Sequence, residues 1–239
     1  MSCFDAHITV DHVSPAEPRG ATGAILFGAD AEVHCRQLRV SAPGPWLYAA
    51  SLQHIIGPDD PRFPATMPNV IDLDIPEETL LREVAGKLTA WWPLLEGIHA
   101  QRAVLRLRLP ANSAGCVGVR RLAKQAPHAK FLIDPFRLGP HAGWQAQVRL
   151  AELENVFITT LGLFPGGEAQ WHDRQQVAEM LYFVSGEVGA GKLLFASGMR
   201  WETVPPPESP AQWLTSTGSL DDAQRPLVLE GNARELFLY

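Results

Sequence analysis

The chain has 239 residues, 46% of them hydrophobic, so it can bury a substantial core and is not a disordered segment. Its formal net charge of -6 excludes a surface that is basic throughout, and Cys3, Cys35 and Cys116 are too widely spaced for a disulfide framework or a C-x-x-C zinc site. Twenty prolines and twenty glycines favour short elements and many turns, the pattern of an α+β fold. Met1 to Val10 lacks the charged start and apolar core of a targeting signal, and no apolar run is long enough to span a bilayer. These features predict a cytoplasmic protein with reduced thiols and no membrane association.

In chain order, the alternation over Ala6 to Val13 predicts a first strand, ended by Ser14 and Pro15. Residues 20–72 read as a turn-rich insertion with short apolar pieces at 24–27, 37–40 and 46–56. Pro76 to Leu95 carries an apolar stripe at helical spacing, with Asp74 as cap and Glu77 and Glu78 in the first turn. Leu105, Leu107 and Leu109 then alternate with Arg106 and Arg108, predicting a strand with one apolar and one cationic face. A turn through Asn112 to Gly115 leads into Cys116 to Leu122, and the two pieces are read as a basic hairpin.

Further strands are predicted at Lys130 to Asp134, Gln145 to Leu150 and Asn155 to Phe164, a helix at Asp173 to Val184, and a strand running to Val204. Pro226 to Leu229 and Glu235 to Tyr239 are read as edge strands. Strand, helix and hairpin early, then strand, helix and strand late, is the order of a ferredoxin-like βαββαβ core with insertions, here as a single domain over residues 1–239.

Charge is distributed unevenly. Residues 97–151 hold nine basic side chains against the single acid Asp134, a net +8 inside an acidic chain. Arg106, Arg108, Arg120, Arg121, Lys124 and Lys130 belong to this segment, and a solvated sheet face or a local polyanion site both fit it. The eight histidines form no H-x-H or H-E-x-x-H pattern, so neither a metal site nor a catalytic pair is predicted.

Gly186 to Lys192 matches G-x-x-x-x-G-K, in which backbone amides cradle phosphate, but Leu193 stands where a magnesium-binding Ser or Thr belongs. The alternative is conformational: Gly186, Gly189 and Gly191 allow positive φ at a helix end. The order of helix, glycine loop and strand, closing on Gly198 and Trp201 with Arg225, Pro226 and Leu227 beyond, resembles the RAMP superfamily of CRISPR-associated proteins. Within it, the likeness is to the subunit that caps the 5′ handle of the CRISPR RNA in type IV effector complexes. The resemblance covers Asn155 to Leu229. Gly191 and Lys192 match the start of the family's loop, whereas Leu193, Leu194 and Phe195 replace its basic residues.

That resemblance implies a non-catalytic RNA-binding subunit without cofactor, partnered by CRISPR RNA and other effector subunits. Its RNA contacts would be Gly186, Gly189, Gly191, Lys192, Gly198 and Arg200 with the six basic residues named above. The alternatives are a small-molecule enzyme, either an acyltransferase or a nucleotide-binding protein using the glycine-rich loop, or a CRISPR RNA endonuclease. A purely structural role, with Leu193 to Phe195 docking another protein, is the remaining reading.

Overall fold

Short runs of aliphatic and β-branched residues that are apolar on both faces make strands that must be covered on both sides. The computed structural model describes residues 3–9, 21–27, 31–41, 44–51, 69–74, 103–111, 113–139, 142–164, 173–200 and 209–238. The strands are β1 (Cys3–Thr9), β2 (Ala21–Phe27), β3 (Trp46–Ser51), β4 (Val70–Asp74), β5 (Val104–Arg108), β6 (Lys130–Ile133), β7 (Val156–Thr159), β8 (Leu193–Leu194) and β9 (Met199–Arg200).

From β1 to β8 each strand pairs in parallel with the next in chain order. β9 pairs in parallel with β1, setting Ile8 against Met199 and Thr9 against Arg200. Between β8 and β9 the Ala6 amide donates to the Phe195 carbonyl at 2.8 Å. β8 and β9 are therefore two halves of one eighth strand, and the sheet closes on itself as a (βα)8 barrel.

Alternation along each strand sorts side chains into two layers. Phe4, Ile25, Leu47, Val70, Val104, Leu132, Phe157 and Leu194 pack together inside the barrel. Their neighbours Ile71, Leu105, Phe131, Ile158 and Leu193 face outward onto helices. The described helices are α1 (Ala31–Ser41), α2 (Ala114–Gln125), α3 (Trp144–Val148), α4 (Arg174–Glu187), α5 (Pro210–Ser216), α6 (Gln224–Pro226) and α7 (Asn232–Leu238), with a π-helical stretch at Leu227–Gly231. In α4, Val177, Met180, Leu181 and Val184 are buried at helical spacing, and the Asp173 carboxylate accepts from the Gln175 amide at 2.9 Å as N-cap. The C-terminal α7 packs against the inner layer, with Phe237 stacked on Phe4 at 5.9 Å. Among the described residues no helix is long and apolar enough to cross a membrane.

The ferredoxin-like core is overturned, because parallel neighbours in chain order require a crossover between every pair and leave no place for a hairpin. Residues 116–122 are not a second hairpin strand: they lie in α2, where Cys116, Val119, Leu122 and Ala123 are buried at helical spacing. Gln145 to Leu150 is likewise helical, as are residues 226–229 and 235–238 of the two tail segments, and Gln37 to Val40 falls in α1. The strand after Asn155 ends at Thr159. The Lys130 strand and the Asp173 helix are observed as predicted. The helix expected at Pro76 to Leu95 lies outside the described residues.

Candidate functional site

β4 reads Val-Ile-Asp-Leu-Asp and β5 reads Val-Leu-Arg-Leu-Arg, and their register sets Asp72 beside Arg106 and Asp74 beside Arg108. Two steps on from the inward-facing Val70 and Val104, period-two alternation brings Asp72 and Arg106 to the barrel interior. Arg106 is 1% exposed, a position a charged side chain holds only with partners.

Those partners come from the neighbouring strands. Just beyond β6, Asp134 Oδ2 accepts from Arg106 Nε at 2.6 Å and meets Nη2 at 2.5 Å, one oxygen shared by two nitrogens of the guanidinium. Asp134 Oδ1 accepts from the Thr159 hydroxyl of β7 at 2.5 Å. On the other side, Arg106 Nη1 lies 3.9 Å from Asp72 Oδ1, while Asp72 Oδ2 pairs with Arg108 Nη2 at 2.9 Å. The Arg106 guanidinium carbon sits 4.5 Å from the centroid of the Phe27 ring on β2.

Asp72, Arg106, Arg108, Asp134 and Thr159 thus form one chain of charge and hydrogen bonds across β4 to β7, toward their carboxyl ends. That is the end of such barrels at which ligands bind. Two guanidinium groups balance two carboxylates. Arg108 is the outermost of the four charges, with a side chain 21% exposed and a buried Nε that meets no hydrogen-bond partner among the described residues. A fixed, half-buried guanidinium suits a planar anion.

The eighth strand is closed to side chains at its break. Gly198 has φ +66°, and a Cβ there would meet Leu161 Cδ1 at 2.6 Å. Beside it the Ser197 amide donates to Asp5 Oδ1 at 2.9 Å. Among the described residues, no three His, Cys, Asp or Glu side chains gather in a way that could hold a metal ion.

The glycine loop lies at the opposite end of the barrel, where strands begin. Gly186 is in the last turn of α4, Gly189 has φ +82°, and Gly191 and Lys192 form a 3-10 turn leading into β8. Lys192 Nζ donates to the carbonyls of Glu154 at 2.6 Å and Leu153 at 3.2 Å, and lies 4.6 Å from the Phe157 ring centroid. Burial first, then the nearby Lys130, holds its pKa below the usual lysine value. Lys130 opens β6 and approaches the same ring at 5.8 Å. Arg120, Arg121 and Lys124 are on α2, where Arg120 lies 3.6 Å from Glu152. Arg200 belongs to β9. The twelve residues expected to share one surface are therefore split between the barrel interior, its amino-terminal end and an outer helix.

Solved structures with the same architecture span essentially the whole chain. A protein assigned as a 2-pyrone-4,6-dicarboxylic acid hydrolase from Pseudomonas putida is 17% identical with a TM-score of 0.67, over 98% of this chain and 97% of that one. An amidohydrolase from Burkholderia multivorans, solved with bound zinc, is 12% identical with a TM-score of 0.67, over 100% and 99%. A third, amidohydrolase 2 from Bifidobacterium longum subsp. infantis, is 16% identical with a TM-score of 0.61, over 100% and 99%. The likeness is one of fold. No protein-family model and no curated protein matches the sequence.

These neighbours overturn the RAMP resemblance, and with it the reading as an RNA-holding subunit of a CRISPR effector complex. Helix, glycine turn and strand occur in that order because every crossover of a (βα)8 barrel has it; α4 to β8 is one such crossover. Sequence reasoning missed Asp72, Asp134, Thr159 and Phe27. The available signal was the pair of complementary strands, with aspartates at 72 and 74 and arginines at 106 and 108 in identical spacing.

Proposed function

We propose that this protein is a hydrolase of small molecules, with its site at the carboxyl ends of β4 to β7 and Arg108 as the group that receives an anionic substrate or intermediate. The observation that carries this reading is the buried Asp72–Arg106–Asp134 network, which fixes Arg108 through Asp72 at the end of the barrel where ligands bind. The full-length likeness to amidohydrolase structures supports the reaction class.

Hydrolysis of a lactone, ester or cyclic amide adds water across the carbonyl carbon's bond to its leaving group. Negative charge develops on the carbonyl oxygen before that bond breaks, and a preorganised cationic donor in a water-poor site stabilises it. Arg108 is suited to this, or to holding a carboxylate elsewhere on the substrate. Asp72 and Asp134, each paired with a guanidinium, serve to orient the arginines. The zinc of the Burkholderia protein does not fit the described residues here, since both interior carboxylates of the network are already neutralised. No step is assigned to a metal.

The test is acid release in a pH-stat from a panel of lactones, esters and cyclic amides with and without a carboxylate. Turnover concentrated in carboxylate-bearing members, and lost in Arg108→Met, is the expected result. Turnover by none of them, with no protection of the protein against heat by any, contradicts the reading.

A further inference from the structure

We propose that Arg106 is a resident cation of the barrel interior, supplied by the chain itself, so that among the described residues the carboxylates of β4 and β6 are held by a guanidinium in place of a metal ion. The inference concerns what occupies the interior and stands whether or not the hydrolase reading does.

Donor chemistry carries it. A divalent ion at this end of the barrel would draw on carboxylates projecting from neighbouring strands. Here Asp134 spends one oxygen on two N–H groups of Arg106, at 2.5 and 2.6 Å, and the other on Thr159 at 2.5 Å. Asp72 spends an oxygen on Arg108 at 2.9 Å. A metal ion binding either carboxylate would have to displace a guanidinium anchored on the adjacent strand. Among the described side chains it would also add two positive charges to a set of two guanidinium groups and two carboxylates, in a place too dry to screen them.

The surroundings point the same way. Phe27 presents an aromatic face to the Arg106 guanidinium, an arrangement that stabilises a cation but supplies no metal ligand. On the eighth strand Gly198 offers no side chain, and Leu161 fills the space one would need. Arg106 is thus a positioning residue: it fixes Asp134 directly, and its charge shares Asp72 with Arg108.

The experiment is metal analysis of the full-length protein, purified without chelator, equilibrated with excess zinc or manganese and passed through a desalting column, with thermal melts in parallel. The expected result is metal far below one ion per chain, and a Tm that neither ion raises and EDTA does not lower. At saturation a native-state metal site would shift Tm upward in proportion to its affinity. Close to one ion per chain, with a Tm that falls on adding EDTA, overturns the proposal. A second arm uses Arg106→Lys, which keeps the charge but not the two adjacent N–H groups that share Asp134 Oδ2. It should remain metal-free and melt below the wild type. Stoichiometric metal in this variant would show that the guanidinium's geometry alone had blocked a native ion site, and would overturn the claim that the charge excludes it.

Discussion

Replacing Arg106 by methionine removes a side chain that joins β4, β5 and β6 through charge. Among the described residues, Asp134 loses two charge-assisted hydrogen bonds, at 2.5 and 2.6 Å, and keeps the Thr159 hydroxyl; Asp72 keeps Arg108. Breaking a buried ion pair from one side typically costs about 3–5 kcal/mol, because the abandoned carboxylate remains out of water. The lost guanidinium–Phe27 contact adds up to about 2 kcal/mol when desolvated. Since whole domains are stable by roughly 5–15 kcal/mol, this variant should unfold at a much lower urea concentration. Asp134→Asn removes the other charge while preserving the Thr159 contact. The double variant should therefore lose less than the two single losses added together, with a coupling of about 2 kcal/mol or more by urea melts followed by circular dichroism. A single-variant cost under about 1 kcal/mol, or additivity within about 0.5 kcal/mol, would refute the claim that these groups act as a buried pair.

Other expectations follow from the same geometry. Arg108→Met should abolish protection of the protein by a small carboxylate in a thermal shift assay, and should also lower the urea midpoint, because buried Asp72 loses its partner at 2.9 Å and retains Arg106 only at 3.9 Å. Gly198→Ala should cost more than Gly189→Ala: both have positive φ, at about 1–2 kcal/mol of strain each, but only at 198 does the new Cβ strike a neighbour. Comparative urea melts of the two variants decide this. Burial, the leading cause, pushes the thiol of Cys3 up to about 12 and that of Cys116 up to about 11. Both should thus resist a disulfide reagent at pH 8 in the native protein and react promptly in urea. Because these pKa values are raised, the stability they contribute is complete below the unfolded value of 9.0 and is lost as pH climbs through the folded values.

What could be read from the chain was local. The apolar stripe of Val177, Met180, Leu181 and Val184 with Asp173 ahead of it specifies α4 without help from the rest of the fold. Residues 105–109 show where such reading stops. Their alternation states that the two faces of a strand differ, and an isolated sequence makes the arginine face look like the solvent face. In a closed barrel the arginine face points inward, and it is tolerable there only because Asp72 and Asp134 arrive from adjacent strands, 34 positions before Arg106 and 28 positions after it. Long-range neutralisation of that kind leaves no mark within a local window. Cys116 to Leu122 misled for a related reason: Val117 and Val119 suggest a strand, while burial follows 116, 119, 122 and 123, a helical interval.

The site claim is tested most directly by a crystal structure of the full chain grown with a small dicarboxylate such as succinate. The account predicts the ligand's carboxylate on the Arg108 guanidinium, at the carboxyl ends of β4 and β5, with Arg106 still paired to Asp134 beneath it. A ligand seated instead at the other end of the barrel, against Lys130 and Lys192, or an Arg106 turned away from Asp134, would contradict it.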